Sequence, residues 1–99
     1  RERLWKNTRK MQSAFRDLGF DIGGTESPVV PIITGDFERT LVFWKDLFEA
    51  GVFVNPIVSP AVPADMCLLR TSYMATHTEE QLDRVLGIIE RAGKKLGII

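Results

Sequence analysis

With a single cysteine, Cys67, the 99-residue chain cannot close a disulfide within itself. That usage suits a reducing compartment, and a cytoplasmic location is expected. One histidine, His77, beside one cysteine falls short of the spaced ligand set that a structural metal needs, so no metal site is expected. Charge of one sign is also missing: 13 Lys and Arg balance 13 Asp and Glu. Without a basic excess there is little counterion release to gain from a phosphate backbone, which argues against nucleic-acid binding. No apolar run approaches the roughly 18 residues of a membrane span. The opening Arg1-Glu2-Arg3-Leu4-Trp5-Lys6 lacks the apolar core of a secretion signal. A glycine-rich phosphate loop ending in Lys-Ser or Lys-Thr and a GxSxG elbow are absent too, which removes two common enzyme classes.

What is present describes one ordered domain over residues 1–99. Hydrophobic residues make up 44% and charged residues 26%, enough apolar surface to offset the entropy of ordering. Residue 1 already sits inside a helical pattern with no cap before it, so the chain is expected to be a piece of something longer.

The first segment, Arg1 to Leu18, reads as an amphipathic helix with Leu4, Thr8, Met11, Phe15 and Leu18 on one stripe. Gly19 supplies its stop. Pro28 to Thr34 reads as a strand, with Pro31 confined to an edge because it lacks a donor. Asp36 caps a second helix, Phe37 to Ala50, whose buried stripe is expected to be Phe37, Leu41, Trp44 and Phe48. Gly51 ends it, and Val52-Phe53-Val54 reads as a very short strand. Asn55 to Asp65 holds Pro56, Pro60 and Pro63 and reads as a stiff extended loop of the kind that serves a site. Met66 to Met74 alternates as a strand, with Leu68, Arg70, Ser72 and Met74 on one face and Leu69, Thr71 and Tyr73 on the other. Thr78-Glu79-Glu80-Gln81 is a capping box opening a last helix, with Leu82, Val85, Leu86, Ile89 and Leu96 on its core side. The order predicts an α+β two-layer sandwich: a small, mainly antiparallel sheet covered by helices.

Among these residues Arg70 carries the most chemistry. It interrupts the apolar run Cys67-Leu68-Leu69, and a guanidinium taken out of water costs several kcal/mol unless an anion answers it. Two readings stand side by side: an internal ion pair or surface arginine, and a planar fork for a substrate carboxylate. Cys67 reads as a small buried hydrophobe more readily than as a reactive thiol, and a Cys67–His77 catalytic pair is a weak alternative. His77 reads as a turn histidine, and Tyr73 and Trp44 as core.

The stretches Gly51-Val52-Phe53-Val54-Asn55-Pro56-Ile57-Val58-Ser59-Pro60-Ala61-Val62-Pro63 and Leu69-Arg70-Thr71-Ser72-Tyr73-Met74-Ala75-Thr76-His77-Thr78 resemble the C-terminal part of the α-oxoamine synthases. Ser27-Pro28-Val29-Val30-Pro31 is similar to that family's first small-domain strand, and the resemblance covers essentially the whole chain. It implies the small C-terminal domain of a pyridoxal-phosphate enzyme of fold type I, usually a homodimer. Such enzymes condense an amino acid with an acyl-coenzyme A, in the manner of serine palmitoyltransferase or glycine C-acetyltransferase. The family's carboxylate-gripping arginine falls on Arg70. Its active-site loop falls on Asn55, Pro56, Ser59, Pro60, Val62 and Pro63, with His77 and Thr78 in a supporting role. No catalytic or cofactor-binding residue is carried over. None of Lys6, Lys10, Lys45, Lys94 and Lys95 stands in the family's Ser/Thr-rich lysine motif, so the cofactor is expected in the parent enzyme and not on this chain. By the resemblance, the first helix and the proline loop face the parent's large domain. A free-standing small-molecule-binding or regulatory α+β module is the competing reading.

Overall fold

The structure, a computed structural model, describes residues 2–24, 29–73 and 76–99. Six elements follow one another: α1 (Glu2–Leu18), β1 (Val29–Gly35), α2 (Phe37–Glu49), β2 (Asn55–Ile57), β3 (Cys67–Ser72) and α3 (Glu79–Lys95). The strands form one sheet in the order β1-β3-β2, antiparallel throughout. Val30, Ile32 and Leu69 on one face of the sheet pack against Met11 and Phe15 of α1, Phe43 and Leu47 of α2, and Leu82 and Ile89 of α3. The expected two-layer sandwich is therefore present, with all three helices on one face. Pro31 lies on β1, an edge strand, where its missing N–H is tolerated. Pro28 and Met74, which the sequence reading places in strands, lie outside the described residues.

Each helix ends by the same local device. At α2, Gly51 N–H donates to Phe48 O (3.0 Å) and Val52 N–H to Leu47 O (2.8 Å), closing a Schellman motif around a left-handed Gly51 at φ 92°. Gly19, at φ 105°, repeats it after α1, where Phe20 N–H reaches Phe15 O (2.9 Å) and the two rings meet edge to face at 5.8 Å. After α3, Ile98 N–H reaches Gly93 O (2.8 Å). The α2 motif explains one departure from the sequence reading. Val52 is spent on the helix exit, so Val52-Phe53-Val54 is not the strand, and pairing begins only at Asn55, inside the segment expected to be loop. Pro56 is accommodated there because β2 is also an edge.

The buried stripe of α2 is a second departure. Thr40, Phe43 and Leu47 are buried, whereas Phe37 and Phe48 are exposed and Leu41 and Trp44 half-buried. Two apolar stripes compete on this helix, and tertiary partners choose between them. Phe43 stacks on Phe20 at 6.2 Å, Leu47 joins the Schellman contact with Val52, and the Thr40 hydroxyl donates to Asp36 O (2.6 Å) beside the Thr34 hydroxyl. The losing stripe leaves Trp44, Phe48 and Phe53 in ring contact on the surface, at 5.5 and 5.3 Å. The exposed large hydrophobics are Phe37, Val42, Phe48, Phe53 and Met66, and α1 contributes none of them.

Candidate functional site

Alternation along β3 turns Leu69 and Thr71 toward the helices and Leu68, Arg70 and Ser72 away from them. On the outward face the register builds transverse rows. Arg70 stands between Pro31 of β1 and Asn55 of β2; Leu68 stands between Ile33 and Ile57. Arg70 thus projects from the central strand of a largely apolar, helix-free face. Its side chain is exposed and makes no ion pair or hydrogen bond with a described residue. Among the described residues, then, no internal ion pair holds it.

The remaining loop residues leave from the Leu68–Ile57 end, two positions from the Arg70 row, or roughly 7 Å along the strand. The loop folds through Ala61 N–H to Val58 O (3.0 Å) and Met66 N–H to Pro63 O (2.9 Å), and its Ser59–Pro60 bond is cis. Ser59 and Val62 are half-buried, while Pro60 and Pro63 are exposed. Asn55 and Pro56, by contrast, belong to β2, which sets Asn55 directly beside Arg70.

His77 and Thr78 sit beyond the opposite end of β3 and do not meet Arg70. Thr78 caps α3: its hydroxyl accepts from Gln81 N–H (3.1 Å) and its own N–H donates to the Gln81 carboxamide (2.9 Å). The His77 carbonyl accepts from Asn7 Nδ2 (3.2 Å), tying α1 to the start of α3, and its ring meets Tyr73 at 6.3 Å. Tyr73 belongs to the covered face, so both residues serve packing. Cys67 is buried at the far end of β3 with Sγ 3.7 Å from Ala64 O, and it forms no pair with His77.

Two features were invisible in the sequence. Residues 51–54 diverge from β3 before β2 begins, opening a cavity of about 260 Å³ bounded by Val52, Val54, Tyr73, His77 and Leu82. The Tyr73 hydroxyl is buried with no hydrogen-bond partner among the described residues, and the nearby Thr71 hydroxyl donates to Val30 O at 2.7 Å. Burial pushes the phenol pKa upward, with Thr71 a smaller influence the other way.

Lys10 bridges Glu79 (2.7 Å) and Asp83 (2.8 Å), and those hydrogen bonds, to Asp83 first, raise its pKa. Lys94 pairs with Glu90 and Lys95 with Asp46, while Lys6 and Lys45 are exposed on helices. Among the described residues no three His, Cys, Asp or Glu could share a metal, and no helix is long and apolar enough to cross a membrane.

A covered face, an open face with a central arginine, and a proline loop at one end define a small two-layer α+β domain. The aminotransferase class I and II family model matches residues 1–89, and the chain belongs to that family. Within it the chain falls among the α-oxoamine synthases. It is 46% identical over 98 residues to 8-amino-7-oxononanoate synthase of Treponema denticola, covering 99% of this chain and 25% of that one. It is likewise 46% identical over 97 residues to serine palmitoyltransferase of Sphingobacterium spiritivorum, covering 98% and 24%. A serine palmitoyltransferase solved with PLP superposes on the whole chain at a TM-score of 0.95 and 38% identity, over 25% of its own length. The enzyme from Sphingomonas wittichii does so at 0.95 and 40%, again over 25% of its length. The chain spans about a quarter of the length of the curated relatives it matches.

Proposed function

We propose that this chain is the small C-terminal domain of a pyridoxal-phosphate-dependent α-oxoamine synthase that joins an amino acid to an acyl-coenzyme A, in the manner of serine palmitoyltransferase or 8-amino-7-oxononanoate synthase. The observation that carries the reading is Arg70: an arginine with no acidic partner among the described residues, at the centre of an open sheet face, on a chain of this family. Its planar fork takes the amino-acid carboxylate through two parallel hydrogen bonds. The stiff segment from Pro56 to Pro63 borders the approach to that carboxylate and loses little entropy on ordering. The large domain, outside this chain, supplies the lysine and holds the cofactor, which when bound serves as the electron sink for the substrate carbanion. A homodimer in the cytoplasm completes the proposal, and the chain by itself turns nothing over.

The test is Arg70→Ala in the full-length enzyme. Amino-acid binding should weaken by a factor of tens to thousands, the effect of losing one partner of a desolvated charge pair worth about 2–5 kcal/mol. The acyl-thioester KM should stay within about twofold, because this reading assigns Arg70 to the amino-acid carboxylate alone. Arg70→Lys should rescue in part, since a point charge cannot make both hydrogen bonds. An unchanged amino-acid KM in Arg70→Ala would remove the physical basis of the reading and favour a free-standing binding module.

A further inference from the structure

We propose that Asn55 is the second polar arm of the carboxylate site, the residue that fixes the plane of the Arg70 guanidinium and donates its own hydrogen bond to the amino acid. The inference rests on the functional reading of Arg70 above. Three residues form the row: Pro31, Arg70 and Asn55. Directly opposed residues on one face stand about 5 Å apart at Cβ, within reach of a carboxamide and a guanidinium. Pro31 offers neither a polar side chain nor an N–H, so one flank of Arg70 is an apolar wall. Asn55 is the only polar flank in that row. It is exposed, and like that of Arg70 its side chain makes no hydrogen bond with a described residue, so both side chains are available.

The donor arithmetic suits this division. A guanidinium has five N–H donors and a carboxylate takes two of them in the fork geometry. With the carboxylate bound, the Asn55 Oδ1 would accept a third, a contact not made in the present structure, and so stop the long Arg70 side chain from rotating its fork away from the substrate. That leaves the Asn55 Nδ2 to donate to the carboxylate oxygen on its own side. Position supports the same role. Asn55 is the first residue of β2, and the rigid Pro56 follows it, so its backbone is held by pairing on one side and by a fixed φ on the other. Asn55 acts partly through Arg70 and is in that respect a positioning residue.

The test uses the full-length, cofactor-loaded enzyme, with L-serine and L-alanine as calorimetric probes alongside steady-state kinetics. Asn55→Ala should weaken binding of both amino acids about tenfold, with kcat and the acyl-thioester KM nearly unchanged. Asn55→Asp should weaken it about a hundredfold, because a carboxylate in the row satisfies Arg70 internally and repels the substrate's own. In an Arg70→Ala background the Asn55→Ala change should cost clearly less than the roughly tenfold it costs alone, since the part that acts through Arg70 is already gone. Asn55→Thr, which favours a strand and lacks the carboxamide, should behave like Asn55→Ala and guards against a loosened edge strand. If Arg70→Ala abolishes binding while Asn55→Ala, Asn55→Thr and Asn55→Asp all bind normally, this inference fails and the Arg70 reading survives. If Arg70→Ala itself binds normally, both fail together.

Discussion

Along β3, Leu69 and Thr71 face the helices and are buried, whereas Leu68, Arg70 and Ser72 face away and are half-buried or exposed. One strand thus separates two tasks by a single-residue alternation. The covered face holds the fold through apolar contacts that water cannot reach. The open face contributes little to stability and presents an arginine, an asparagine and a proline in one row. A residue on the first face should be costly to change and dispensable to chemistry; a residue on the second should be the reverse.

The sharpest way to break this comparison is to truncate neighbours on opposite faces. Leu69→Ala should cost about 2–5 kcal/mol in a urea melt, through lost transfer energy and a residual cavity. Arg70→Ala should stay within about 0.5 kcal/mol of the parent chain. Comparable losses for the two would mean that the outward face is also structural.

A second change probes how tightly the covered face is closed. A Cβ built at Gly93 of α3 would lie 2.6 Å from the Phe20 ring, which itself packs on Phe15 and Phe43. Gly93→Ala improves helix propensity yet should destabilise by about 1–3 kcal/mol, because the ring must move within a filled core. A stabilised Gly93→Ala would show that this region is loosely packed.

The smallest effect concerns the hydroxyl of Tyr73. Tyr73→Phe removes a buried polar group with no partner among the described residues and should raise stability by about 1 kcal/mol. Below about pH 10 the phenol is neutral in both the folded and the unfolded chain. Its folded-state pKa is raised, so stability is intact below that pH and falls as pH rises past it, when the unfolded chain ionises and the buried phenol resists. The advantage of Tyr73→Phe should therefore widen in alkaline melts. A constant difference from pH 7 to 11 would mean the phenol is solvated.

Arg70 was legible in the sequence because a charge inside an apolar alternation stands out. Its neighbours were not. Asn55 looked like the first residue of a loop, and only the consumption of Val52 by the α2 exit places the strand three residues later and brings Asn55 opposite Arg70. His77 stands just before the Thr78 cap of α3, and the tie of its carbonyl to Asn7, seventy positions away, has no local signal.

The features that the amino-acid order determined by itself are those that close within one turn of backbone: the glycines after α1 and α2, the Thr78–Gln81 capping box, the Asp36 cap and the alternation of β3. Each depends on a residue's own φ or on a partner three to five positions away, so the signal and its cause lie in the same short window. Tertiary structure alone decided which of two apolar stripes α2 buries, where β2 pairs, and that Gly93 must stay bare beneath Phe20. Those choices compare the burial of whole side chains contributed by distant elements, and such a comparison has no value until the elements meet.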